Sequence, residues 1–170
     1  MNNYQIGQQV IHCRDGLAVV VGSTNMADKD YYIVKTVRGS GENIYVPVER
    51  ADQIIRFLMN KKEADELVDY IKSIPLEFNP NTKQRRDGIK KRLLSGDIKD
   101  AAYLFKQLFF FKTSNDGSIK YGALDIDMLS FASNNLLDEF AITYDKDRDQ
   151  IEEFIFDKLK YFFWYILIVR

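Results

Sequence analysis

The chain has 170 residues, 46% of them hydrophobic and 29% charged, with a formal net charge of −1. That length holds one ordinary domain or two small ones with modest cores, and the composition excludes a disordered tail. The lone cysteine, Cys13, excludes an internal disulfide framework and fits a reducing compartment.

From residue 4 to about residue 56 the apolar runs are short and β-rich: Tyr4, Ile6-Gly7, Val10-Ile11-His12, Asp15 to Val21, Tyr31 to Val34 and Ile44 to Pro47. Gly7, Asp15-Gly16, Gly22-Ser23 and Gly39-Ser40-Gly41 punctuate them with the strand-and-turn rhythm of a small barrel or roll. Val19, Val21 and Ile33 can alternate with less buried neighbours, although Val19-Val20-Val21 is too apolar for a one-sided strand. A short strand through Ile54-Ile55 is expected to complete the sheet.

The period then changes to that of helices. Asn60 with Glu63 three residues on forms a reciprocal cap, and Ala64, Leu67, Val68 and Ile71 follow at helical spacing to about Lys72. Pro75 and Pro80 mark an irregular segment and place a domain boundary within residues 59–80. A basic helix is predicted from about Asn81 to Leu94, closed by Ser95-Gly96-Asp97. The next helix carries Ile98, Ala101, Ala102, Phe105, Leu108 and Phe109 on one stripe, and Thr113 to Gly122 reads as a loop. Leu124, Met128, Leu129, Ala132, Leu136, Leu137 and Phe140 then recur at helical spacing. The last helix is predicted to begin near Asp145 or Asp147, whose carboxylates suit a helix N-terminus, and carries Ile151, Phe154, Ile155, Leu159 and Phe162. Its apolar end, Tyr161 to Val169, includes the only tryptophan, Trp164, and is about half the ~20 residues that span a bilayer. A buried helix end is the first expectation for it, then a partner-docking patch, then a membrane-surface anchor.

Charge is segregated along the chain. Lys83, Arg85, Arg86, Lys90, Lys91 and Arg92 stand against the single acid Asp87, whereas Asp138 to Asp157 is acidic. This suggests a surface for an anionic partner; the plainer alternative is the solvated face of a helix.

The usual catalytic constellations are missing. His12 and Cys13 point to opposite faces if they are strand neighbours, and no second His or Cys completes a metal set. Asp125 and Asp127 diverge on a helix, where they suit capping or solvation of its start. Gly39-Ser40-Gly41-Glu42 lacks the Lys-Ser/Thr ending of a phosphate-binding loop and reads as a hairpin loop. Phe109-Phe110-Phe111 favours core over base stacking. Tyr31 and Tyr32, facing opposite ways, make a poor cation cage. Neither a cofactor nor a metal is expected, and no enzymatic activity. The opening Met-Asn-Asn-Tyr-Gln has neither the basic nor the apolar region of a secretory signal, which gives a cytoplasmic expectation.

The opening strands, closed by Ile44-Tyr45-Val46-Pro47, resemble the front of the CarD family of bacterial transcription regulators, also called CdnL. The resemblance continues through Arg85-Arg86, Leu93-Leu94, Ser95-Gly96-Asp97 and Ile98 to Leu108, in matching order, and covers about residues 4–157. It implies an α+β protein, with a Tudor-like small β-barrel over residues 1–58 that grips the RNA polymerase β subunit and an all-α domain over 59–170. It also implies promoter DNA contact at the upstream edge of the bubble, non-sequence-specific and phosphate-led, by a monomer that modulates open-complex stability. Lys83, Arg85, Arg86, Lys90, Lys91 and Arg92 are the DNA-contact candidates. Met26, Ile44, Tyr45 and Val46 are the polymerase-contact candidates. Two departures stand out. The family's tryptophan wedge corresponds here to Thr82 or Lys83, and basic positions of the polymerase face correspond to Tyr45 and about Met26. A diverged protein–protein adaptor without DNA binding is therefore the alternative.

Overall fold

The computed structural model describes residues 3–38, 41–77, 79–93, 97–114 and 122–168, with side chains undescribed at 93, 113–114 and 160–168. The chain divides into two compact units, Met1–Leu58 and Met59–Arg170.

The first unit is a five-stranded antiparallel sheet in the order β4-β3-β2-β1-β5. Its strands are β1 (Gln9–His12), β2 (Gly16–Met26), β3 (Lys29–Thr36), β4 (Asn43–Pro47) and β5 (Ile55–Arg56). The sheet is open and does not close into the expected barrel, because β4 and β5 are edges that do not pair. Only two residues remain for β5, since Val48–Arg50 forms a 3-10 turn and α1 (Ala51–Ile54) takes up Ile54, which was expected in the strand. Alternation sorts the faces: Val10, Ala18, Val20, Tyr32, Val34 and Val46 are buried with Tyr4, Ala51 and Ile55. Tyr4 ties the sheet to its own closing segment, donating its hydroxyl to the Ile55 carbonyl (2.9 Å) and packing edge-on against Tyr32.

Two turns differ from their sequence reading. Gly22-Ser23 is not a turn but lies inside β2, where the register shifts between Val20 and Gly22 and Val21 is the bulged, exposed residue. The reversal comes at Ala27-Asp28, both with positive φ (49° and 60°), which joins β2 to β3. His12 ends β1, buried, its Nδ1 2.7 Å from the Asp15 carboxylate. Burial lowers its pKa and outweighs the upward pull of Asp15.

The second unit is helical: α2 (Lys61–Ser73), α3 (Thr82–Leu93), α4 (Ile98–Ser114), α5 (Ala123–Tyr144) and α6 (Arg148–Ile168). The reciprocal cap forms as its spacing predicts, with the Asn60 side chain accepting the Glu63 N–H and the Glu63 carboxylate accepting the Asn60 N–H. Ala64, Leu67, Val68 and Ile71 of α2 join Phe105, Leu108, Leu136, Phe140, Ile151 and Ile155 in one core. Thr113 and Ser114 extend α4 beyond the expected boundary, and Asp145 is the left-handed C-cap of α5 rather than the start of α6.

α4 is not one-sided. Besides Ala102, Phe105 and Leu108, it buries Lys106 and Gln107, because it packs against α2, α3 and α5. These polar groups satisfy backbone that the end of α2 and the irregular segment after it leave unpaired. Lys106 Nζ donates to the Lys72 carbonyl (2.7 Å), and Gln107 donates to the Pro75 carbonyl and accepts the Glu77 N–H. Phe111 is buried, and Phe109 packs between Phe105 and Phe156. The stretches expected at Gly39-Ser40, Leu94 to Gly96 and Asn115-Asp116-Gly117 lie outside the described residues, as do the side chains of Leu93 and of the apolar run Tyr161 to Val169. No described helix is long and apolar enough to cross a membrane.

Candidate polymerase and nucleic-acid surfaces

In the first unit, the outer edge of β4 is unpaired among the described residues and offers backbone donors and acceptors to an incoming strand. Its side chains alternate. Val46 is wholly buried and Ile44 packs on the core, so of the expected contact residues these two face inward and bring only their backbone to the edge. Tyr45 faces outward and is 48% exposed. Met26, 40% exposed, shares that outward face but sits opposite Lys29 at the hairpin end, four residues along β3 from Ile33, the partner of Tyr45. At the usual rise that is about 13 Å, so the structure does not bring Met26 and Tyr45 together in one contact.

In the second unit, α3 starts where the Asn81 side chain accepts the N–H groups of Lys83 and Gln84 (both 3.1 Å). The six expected DNA-contact residues then separate by their surroundings. Lys83, Arg86, Lys90 and Lys91 are exposed. Arg85 is buried, and its guanidinium makes two 2.9 Å bonds to the Asp125 carboxylate and one to the Asn79 carbonyl. It also lies 5.9 Å from the Phe111 ring centroid. This corrects the sequence expectation: Arg85 cannot face a phosphate while it holds Asp125. Arg92 is half-buried, paired with Asp100 and stacked 3.7 Å from the Tyr103 ring centroid. Thr82 and Lys83 are the first two residues of the helix.

Asp125 is the residue the sequence reading understated. Its capping role was foreseen, and it accepts the Gly122 N–H at the start of α5 (2.9 Å). Its partnership with Arg85, 40 positions away, carries no local signal. Burial alone would raise its pKa, but the bonds from Arg85 and Gly122 and the charges of Arg85 and Arg86 prevail and hold the carboxyl below its ordinary value. Reading Arg85 as a surface cation missed this, because composition records charge and not direction.

Residues 4–59 match the family model described as the CarD-like/TRCF RID domain, and residues 66–156 match that of the CarD C-terminal domain. No curated protein matches the chain. The first match falls on the five-stranded unit, which has the Tudor-like RID architecture as an open sheet, and the second on the helical unit. CarD proteins are non-enzymatic transcription factors. With both of its units matched in order, the chain belongs to the CarD family and is an RNA polymerase-interacting transcription regulator.

Proposed function

We propose that the first unit holds the polymerase β subunit along the open edge of β4, while the exposed cations of α3 touch promoter DNA just upstream of the melted region. The observation that carries this reading is the unpaired β4 edge with Tyr45 beside it, within the RID-type unit. Main-chain pairing supplies affinity there, and Tyr45 adds apolar contact where relatives place a cation. On the DNA side, Lys83, Arg86, Lys90 and Lys91 offer phosphate neutralisation, which is salt-sensitive and carries little sequence information. The regulator shifts the closed-to-open promoter equilibrium by binding the open state more tightly, the only way a ligand moves such an equilibrium.

Capture of the polymerase β-subunit lobe by the immobilised chain tests the first contact. The wild-type chain retains the lobe and Tyr45→Asp releases it, whereas no retention by wild type ends the reading. Open-complex lifetime tests the second contact. Ala at Lys83, Arg86, Lys90 and Lys91 shortens it, and an unchanged lifetime with lobe capture intact identifies a protein–protein adaptor instead.

A further inference from the structure

The outward face of the five-stranded sheet carries an apolar row that the core does not use. Tyr45 of β4 stands opposite Ile33 of β3, and Ile33 stands opposite Gly22 in the β2 bulge. Ile33 leans over that glycine, its Cδ1 3.7 Å from where a Gly22 Cβ would stand. Val21 joins them. It follows the inward-facing, buried Val20, which turns it to the outward side, and the register shift leaves it without a paired residue on β3. This valine is 41% exposed in the middle of an 11-residue strand, and bulges of this kind re-aim a side chain.

Charge keeps to the ends of this surface. Along β3 the outward residues are Lys29, Tyr31, Ile33 and Lys35, so a lysine bounds the apolar middle at each end. Half-buried Val19, Tyr31 and Pro47 flank the row, and Val21 and Tyr45, 41% and 48% exposed, are its open parts. An uncharged centre with a polar rim is the anatomy of a protein interface, and such a centre gives a polyanion nothing to hold.

The row runs directly to the open edge of β4, where the proposed function seats a polymerase strand. That edge alone is a small contact: five residues, the last a proline with no N–H to give. A strip about 17 Å long and roughly 10 Å thick covers about 170 Å², against about 800 Å² on each partner in a stable interface. Strands lie about 4.8 Å apart, so a strand added beyond β4 sits about 14 Å from Val21. Its side chains meet Tyr45 and stop short of the bulge, since cross-strand contacts extend only about 5–8 Å. We propose that a second, apolar segment of the polymerase lobe lies over this face, seated on Val21 and Ile33, beside the strand paired to β4. The inference rests on the proposed β4 contact and makes Val21 a specificity-determining residue for it.

The test measures the affinity of the full chain for the isolated polymerase β-subunit lobe by surface plasmon resonance, in about 0.5 M salt so that charge repulsion at a distance is screened. Val21→Lys, which puts an unpaired charge under the second segment, is expected to weaken binding about tenfold or more, and Val21→Ile to leave it within about twofold. Because Val21 is open to solvent, the thermal midpoint of Val21→Lys stays near that of wild type. Should it fall, Val21→Thr, which keeps the β-branched shape that strands favour, carries the test with a loss of about fivefold or more. Unchanged affinity in the lysine and threonine variants overturns the proposal. So does a wild-type dimer that Val21→Lys turns into a monomer in sedimentation, which would give the face to a second copy of the chain. Tyr45→Asp tells the two contacts apart. Loss of binding there with Val21→Lys unchanged leaves the β4 pairing standing and removes only the second segment. Failure of wild type to bind the lobe at any salt ends the β4 reading itself, and this proposal with it.

Discussion

Arg85 and its neighbour Arg86 are the same residue type, yet one is a strut and the other a surface charge. The side chains of Arg85 and Asp125 are 5% and 3% exposed, and their pairing joins α3 to the start of α5. Removing one partner strands the other's charge in the interior, a loss of about 3–5 kcal/mol. Asp125→Ala is therefore expected to lower the urea midpoint strongly, and Arg85→Met combined with it to recover much of the loss. The double-mutant cycle measures the coupling, and simple additivity would deny the strut. The pH dependence has a definite sign. Asp125 has its pKa lowered by folding, so its contribution is present above the ordinary carboxylate range and is lost as pH falls through the lowered folded value. Wild type should lose more stability on acidification than Asp125→Ala.

The elements were legible wherever one local rule sufficed, and obscure where a distant neighbour decided. The Asn60–Glu63 cap and the α2 stripe are short-range patterns, and both are present as the sequence predicts. The β2–β3 reversal was not legible, because Ala27-Asp28 lacks the Asn-Gly or Asp-Gly signal that positive φ at both positions favours, while Gly22 drew attention to a bulge. Alanine in the left-handed region costs about 1 kcal/mol, so Ala27→Asn with Asp28→Gly is expected to stabilise the chain by about that amount in chemical denaturation. A destabilised variant would contradict the turn. On α4, periodicity identified Phe105 and Leu108 but could not identify Lys106 as buried, since its burial depends on the Lys72 carbonyl at the end of another helix. Burial lowers the Lys106 pKa from 10.5 to about 8. Below about pH 8 the amine is charged in both states and folding bears the cost of burying it. Between about 8 and 10.5 the folded state sheds its proton first, so stability from this residue rises with pH. The difference between wild type and Lys106→Met, followed by denaturant unfolding across that window, should show this rise; a constant difference would refute it.

At the scale of the molecule, two units have separate cores, and the proposed function gives each its own contact chemistry. The proposed strand pairing at β4 would depend on backbone groups and be only weakly sensitive to salt, whereas the proposed α3 contact would be electrostatic and release counterions. Joined in one chain, the units need not bind tightly on their own, because polymerase capture by the first converts DNA contact by the second into an intramolecular step. The chain alone is accordingly expected to bind promoter DNA weakly, with a steep loss as salt rises, and more strongly once polymerase is present. Each exposed cation that meets a phosphate contributes roughly 0.9 to the slope of log affinity against log salt. Lys83→Ala, Arg86→Ala, Lys90→Ala and Lys91→Ala should each flatten the slope by up to about that amount, to the extent that the residue reaches the backbone. Replacing Arg85, already neutralised by Asp125, should destabilise the helical unit yet leave the slope of the folded fraction unchanged. Anisotropy titrations over a salt series separate these outcomes. A slope that falls equally for Arg85 and for the exposed cations would mean that the buried pair opens on binding, and the division of α3 into strut and contact surface would fail.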